Sequence, residues 1–458
     1  MNGKILNSSA KVRWGVLLML SAVMFASYFF DDIFTTIGHI FKSPDLVALG
    51  WNAAEYGAYG GAYSFLCVWG GLVICGMLID KWGVKLTGSL FVSLMVAGAA
   101  VVAYAISESF SSSALCRVLS ASFGKPSLAL AYAGCALFGL GSEIAGVAVT
   151  RSIAKWFKGY EMALAMGLQL AIARLGTAFA LVLVPRIVNT ESMPVPFSET
   201  IKPAQIGLLL MAVGIVAWAI FVLADRRLDK QSSELAALDR KETSEDDKFK
   251  FSDIIKVLGN KYFIFVALLC VLFYCCIISF RRFATSILIP RFGISQDVAS
   301  LMVSMIPFST VVFMPLFGSL VDHKGKGSRL MILGAFLVLA AHLIVAFAPQ
   351  YELFGYVGIA VLGIGYSLLP SAMWQTVPKI IPDKNLGTAY SLLYWVQNLG
   401  LMIVPVFVGR IIKNNPSPAA PEYLFIALAA ASVVVSFLFA KASDARPDLG
   451  IDVPNKKK

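Results

Sequence analysis

A chain of 458 residues that is 58% hydrophobic and only 14% charged falls outside the ordinary soluble class, in which about a quarter of residues are charged. Its apolar runs reach the ~20 residues that a helix needs to cross ~30 Å of hydrocarbon, and they lack the ~10-residue alternation of a membrane barrel. The formal charge of +11 does not point to nucleic acid, because the basic residues are spread over short loops instead of forming one block interleaved with aromatics.

In chain order, Lys4, Lys11 and Arg13 precede an apolar run that continues through Tyr28 into Asp31-Asp32 with no small-residue cleavage site, so it reads as a first span and not a cleaved signal. Twelve spans are expected. The first six cover residues 13–40, 53–79, 84–106, 128–154, 161–187 and 206–224. The last six cover 263–289, 298–321, 330–347, 353–380, 386–412 and 423–440. Between them the composition turns charged and polar, with Arg226, Arg227, Arg240, Lys241, Glu245, Asp246 and Asp247, and reads as a solvated linker. The fold class is therefore an all-α membrane protein of two six-helix bundles, residues 1–224 and 262–458, joined by a linker over 225–261. Basic residues near the span ends gather on one side: Arg13, Lys81 to Lys85, Lys155 to Lys158, the linker, Lys324 to Arg329 and Lys456 to Lys458. By the positive-inside rule both termini are cytoplasmic. The seven cysteines lie in apolar segments without metal-ligand spacing and read as small packing residues.

Residues 138–177 carry the strongest functional signal. Glu143 follows the small-residue run Gly139-Leu140-Gly141-Ser142, and Arg174 lies inside the next apolar segment. Each charge costs roughly 2.5–3.5 kcal/mol at a helix centre on insertion scales, so each is expected to face protein or a wet space. The alternative is an ion pair that only locks two helices. Asp31 is a third candidate; about 100° of helical rotation per residue lets at most one of Asp31 and Asp32 face inward, and a helix break with both acids hydrated is the competing reading. Arg281-Arg282 can bind an anion or cap a neighbouring helix. His39, His323 and His342 are too scattered for a metal site, and no nucleophile triad, phosphate loop or zinc-binding His-Glu-x-x-His is present. The sequence thus points to no enzyme activity, no cofactor and no ATP-driven pump.

A repeat links the two halves. Gly76, Asp80 and Gly83 after the second span, and Gly318, Asp322 and Gly325 after the eighth, share the spacing G-x-x-x-D-x-x-G. The glycines permit close helix approach and the acids can take amide N–H groups at a helix N-terminus, so these residues are expected to gate as conformational latches. Two such motifs in register in a twelve-span chain resemble the major facilitator superfamily, whose halves are parallel repeats with a site between them.

Further stretches narrow the resemblance: Tyr28 to Asp31, Gly139 to Glu143, Trp156 to Gly159, Gly167 to Gly176, Gly365 to Leu369 with Trp374, Leu386 to Tyr390, and Gln397 to Gly400. They are similar to the lysosomal dipeptide-transporter family within that superfamily and its prokaryotic relatives. The resemblance implies a uniporter of dipeptides working by alternating access, with Glu143 and Arg174 holding the two charged ends of the peptide and Asp31 in the first-span motif. Tyr28, Tyr366, Trp374, Tyr390, Tyr394 and Trp395 offer aromatic walls, or simply pack; Gln397 and Asn398 can bond a peptide amide or join helices. The expected partners are a small dipeptide-like substrate and the lipid bilayer, with any accessory subunit unassigned. Arg281-Arg282 and Asp32 depart from the family pattern. They leave open a proton-coupled carrier of organic anions, and a non-transporting sensor or scaffold is the alternative from another class. The short stretch before Arg13 has no acidic dileucine sorting signal, which favours a prokaryote-like plasma membrane.

Overall fold

The computed structural model describes residues 6–157, 160–236, 251–382 and 385–454. Twelve long helices run through them: α1 Ala10–Asp31, α2 Ala53–Leu66, α3 Leu72–Ala105, α4 Pro126–Trp156, α5 Met162–Ile187 and α6 Lys202–Ala236 in the first half. The second half holds α7 Lys261–Phe292, α8 Gln296–Lys324, α9 Gly327–Phe347, α10 Glu352–Ile380, α11 Leu386–Asn414 and α12 Ala420–Asp444. Among the described residues, eleven segments are long and apolar enough to cross a membrane. The expected second span is α2 and its continuation: π-helical Cys67–Gly71 carries it into the start of α3, and Gly83, at φ 78° and ψ 163°, breaks the helix before the third span begins. Large apolar side chains such as Leu90, Leu209, Val213, Leu316, Phe336 and Phe437 are exposed, as an exterior facing hydrocarbon requires. The protein is an integral, multi-pass membrane protein.

Three spans differ from expectation for definable reasons. The first ends at Asp31 instead of continuing to residue 40: Asp32 leaves the helix at φ −102° and ψ 10°, and a short 3-10 helix, Gly38–Lys42, follows. The sixth stays helical beyond residue 224, so Asp225 is not solvated linker. It is buried, and its carboxylate accepts from Lys155 Nζ at 2.8 and 2.9 Å and from Trp156 Nε1 at 2.8 Å. Of the expected linker, Arg240, Lys241, Glu245, Asp246 and Asp247 lie outside the described residues, as do Lys158 and Gly159 of the α4–α5 turn and Lys456 to Lys458. α12 begins earlier than expected, at Ala420, which brings Glu422 inside it; Glu422 Oε2 meets His342 Nδ1 at 2.7 Å, and His342 Nε2 meets Cys276 Sγ at 3.2 Å. A buried polar cluster thereby joins α7, α9 and α12, where a charge unpaired in hydrocarbon would be costly.

Close approach of helices sets the site. A Cβ on Gly139 would lie 1.9 Å from the Tyr63 carbonyl oxygen and one on Gly141 2.4 Å from the Met95 nitrogen, so α4 is wedged between α2 and α3. One on Gly176 would lie 2.2 Å from the Phe25 oxygen, which holds α5 against α1. No real Cβ tolerates such distances, so these glycines fix the depth and rotation of the helices that carry Glu143 and Arg174.

In the latch repeat, Gly76 and Asp80 lie within α3. Gly83 is required for its positive φ, with nothing close to its missing side chain, and Gly318 makes only an ordinary contact, 3.7 Å from Gln375 Nε2. Gly325 has φ +65° and would bring a Cβ to 2.2 Å from the Asp452 oxygen. At the start of α9, Asp452 of the C-terminal segment accepts one amide and one hydroxyl: Ser328 N donates to its Oδ1 at 2.8 Å and Ser328 Oγ to its Oδ2 at 2.6 Å. Asp322 lies within electrostatic reach of Lys379 on α10.

Candidate functional site

Glu143 and Arg174 are half-buried on α4 and α5, and no ion pair joins them. The helix-locking alternative therefore does not describe this structure. Glu143 Oε1 accepts from the Tyr63 hydroxyl at 3.2 Å; the same hydroxyl reaches Ser142 Oγ at 3.1 Å, and Ser142 shares a 2.6 Å hydrogen bond with Ser27 of α1. A chain of hydroxyls thus orients the carboxylate from α1 and α2.

Arg174 is held by rings instead of acids. Its guanidinium carbon lies 5.7 Å from the Tyr28 ring centroid on α1 and 5.5 Å from that of Tyr366 on α10, a cation–π sandwich across the two halves. Its Nε is buried without a hydrogen-bond partner. Tyr28 is within electrostatic reach of both Glu143 and Arg174, so one ring of α1 neighbours both the acid and the base.

The second half supplies the aromatic wall. Trp374 Nε1 donates to the Tyr274 hydroxyl at 3.0 Å, its ring stacks on Tyr394 at 5.4 Å, and Tyr390 lies beyond at 5.9 Å. Tyr274 in turn stands edge-on to Tyr366 at 6.3 Å. Of the other expected contacts, Gln397 Oε1 accepts from Cys270 Sγ at 3.7 Å, whereas Asn398 and Trp395 join the halves: Ser64 Oγ donates to Asn398 Oδ1 at 2.7 Å and Trp395 Nε1 to the Val68 carbonyl at 2.9 Å.

Asp31 is brought to the seam and paired. Arg282 Nη2 meets its Oδ1 at 3.0 Å, while Arg281 pairs with Asp32, which also accepts from Thr35 Oγ1 at 2.9 Å. Both acids find a partner, contrary to the hydrated helix break and to the geometry of a continuous helix, because the helix ends between them. The two arginines that departed from the family pattern are thereby spoken for. Sequence reasoning passed over Tyr63 and Tyr274. For Tyr63 a signal existed: Tyr56, Tyr59 and Tyr63 recur at helical spacing and so mark one face of α2. Tyr274 sits in an apolar run and offered none.

The chain matches the profile of the Major Facilitator Superfamily over residues 15–292 and again over 271–457. It is 28% identical to the human (Homo sapiens) lysosomal dipeptide transporter MFSD1 over 438 residues, 93% of this chain and 86% of that one. The cattle (Bos taurus) protein of the same name is 27% identical over 422 residues, covering 90% and 81%. Among solved structures, a D-xylose–proton symporter superposes with a TM-score of 0.65 at 14% identity, over 94% of this chain and 98% of that one. A bacterial homologue of the human lysosomal transporter Spinster, inward-facing and unoccupied, gives 0.64 at 15% identity over 98% and 99%. At those identities the structures speak for the fold alone.

Proposed function

The chain belongs to the Major Facilitator Superfamily and is a membrane transporter, not an enzyme; from that premise we propose that it moves small zwitterionic peptides, dipeptides foremost, by alternating access and as a uniporter. The observation that carries this is a carboxylate and a guanidinium that share the neighbour Tyr28 without pairing with each other, the guanidinium Nε buried and unbonded. A dipeptide at neutral pH brings the complementary charges: an ammonium for Glu143 and a carboxylate that Arg174 can meet bidentately. Rings of the second half, Tyr366, Trp374 and Tyr390, line the side-chain region, with Gln397 available to a peptide amide. The names of the MFSD1 relatives support this substrate class. An organic-anion carrier finds less support, because Arg281 and Arg282 are already matched by acids.

The same proposal divides the chain into two bundles, α1 to α6 and α7 to α12, uses the Asp80 and Asp322 motifs as latches, and places both termini in the cytoplasm of a prokaryote-like cell. The basic loops support that orientation. The test is a binding cycle in proteoliposomes. Glu143→Gln is expected to lose affinity for a free or C-amidated dipeptide but to lose nothing further for an N-acetylated one. Equal binding of free and blocked peptides would overturn the clamp, and accumulation driven only by an inward proton gradient would overturn uniport.

A further inference from the structure

The halves are joined by bonds that gather away from the face carrying the two termini. Beyond Ser64–Asn398 and Trp395–Val68, Thr190 Oγ1 donates to Gln296 Oε1 at 2.5 Å, Tyr56 Oη to the Arg282 carbonyl at 3.2 Å and Thr285 Oγ1 to the Thr35 carbonyl at 3.2 Å. On the terminal face the ion pairs described stay within one half: Lys155 with Asp225 and Asp229, Lys85 with Asp229, and Arg13 with Glu161 in the first, Arg329 with Asp444 in the second.

The densest part of the seam is a two-rung ladder, Asp31–Arg282 and Asp32–Arg281, between the end of α1 and the middle of α7. Its surroundings are shaped to it. A Cβ on Gly60 of α2 would lie 2.6 Å from Arg282 Cδ, so a glycine there leaves the arginine stem its path. Tyr56 stacks on Phe41 at 4.7 Å and meets Phe283 edge-on at 5.2 Å, which excludes water beside the rungs. The rungs are unequal: side-chain exposure is 3% for Asp32 and 10% for Arg281, against 24% for Asp31. Asp31 is thus the least shielded of the four charges.

We propose that these two ion pairs are the gate that closes the transporter on the face opposite its termini, and that Asp31 and Arg282 are positioning residues for the transport step, their pair opening first. A pair of opposite charges removed from water holds two helices together only while both partners are present, and it is reset by any motion that separates them. Rocking of one half against the other must therefore break both rungs. This inference does not depend on which substrate is carried.

The test is pulsed electron paramagnetic resonance on the ligand-free protein in nanodiscs, with spin labels at Ser192 and Ser417 on the gated face and, separately, at Lys81 and Lys324 on the terminal face. Arg282→Gln and Asp31→Asn are each expected to lengthen the 192–417 distance and shorten the 81–324 distance. The exchanged pair Asp31→Arg with Arg282→Asp is expected to restore both. Loss of a purely structural contact would broaden the first distance without shortening the second, and that result overturns the gate. Unchanged distances in the two single variants overturn it as well, and an exchanged pair that fails to restore them overturns the direct pairing.

Discussion

Acids and arginines occur inside this helix bundle in two arrangements, once apart and once joined. Glu143 and Arg174 sit in the middle of the first half, each contacted by tyrosines and neither by the other. Asp31 and Asp32 sit at the end of α1 and each is closed by an arginine of α7. What differs is the backbone beneath them. Glycine contacts at 139, 141 and 176 fix α4 and α5 against their neighbours, so the first acid and base cannot swing together. The end of α1 frees Asp32 from helical rotation, so two consecutive acids reach two consecutive arginines. On the proposed function, the charges held apart await a ligand that supplies the counter-charges, whereas the charges that meet join the halves.

The comparison can be broken most severely at the backbone. Gly139→Leu drives a side chain into the Tyr63 carbonyl, 1.9 Å from the position of the new Cβ, and the overpacking cost of about 1–3 kcal/mol or more falls on the helix contact that places Glu143. Loss of the monodisperse peak in detergent size-exclusion chromatography is expected. A variant that stays folded and binds normally would show that this contact does not set the site.

Next in size is the open pair itself. Arg174→Ala is expected to cost about 3 kcal/mol of dipeptide affinity, roughly a hundredfold in Kd, because a bound carboxylate is left without its partner. Arg174→Lys keeps the charge but loses the fork and the flat face between Tyr28 and Tyr366, so a loss of about tenfold is expected despite the conserved charge. Isothermal titration separates the two; a lysine variant equal to the parent would mean that charge alone suffices.

The smallest effect sharpens the comparison instead of breaking it. Tyr63→Phe removes the hydroxyl that bonds Glu143 and Ser142, a net contribution of about 1 kcal/mol for a typical hydrogen bond. Affinity for a free dipeptide is expected to fall several-fold, with little change for an N-acetylated one. An equal fall for both would assign Tyr63 to general packing.

Much of this protein is written in one dimension. Hydrophobic runs of membrane-crossing length give the all-helical fold, the repeated G-x-x-x-D-x-x-G relates the two halves, and the rarity of charge in apolar segments singles out Glu143, Arg174 and Asp31, since local composition decides what hydrocarbon accepts. Whether opposite charges pair is not local. It depends on where α1 stops, on how closely glycines let helices approach, and on which carboxylate reaches the first turn of α9, a role that Asp452 takes from far along the chain. Those are distances between segments remote in sequence, and only the packed helices set them. The sequence of α1 leaves a break at Asp31 as one of two readings that only the packed structure decides, and the apolar surroundings of Tyr274 carry no sign that its hydroxyl meets Trp374.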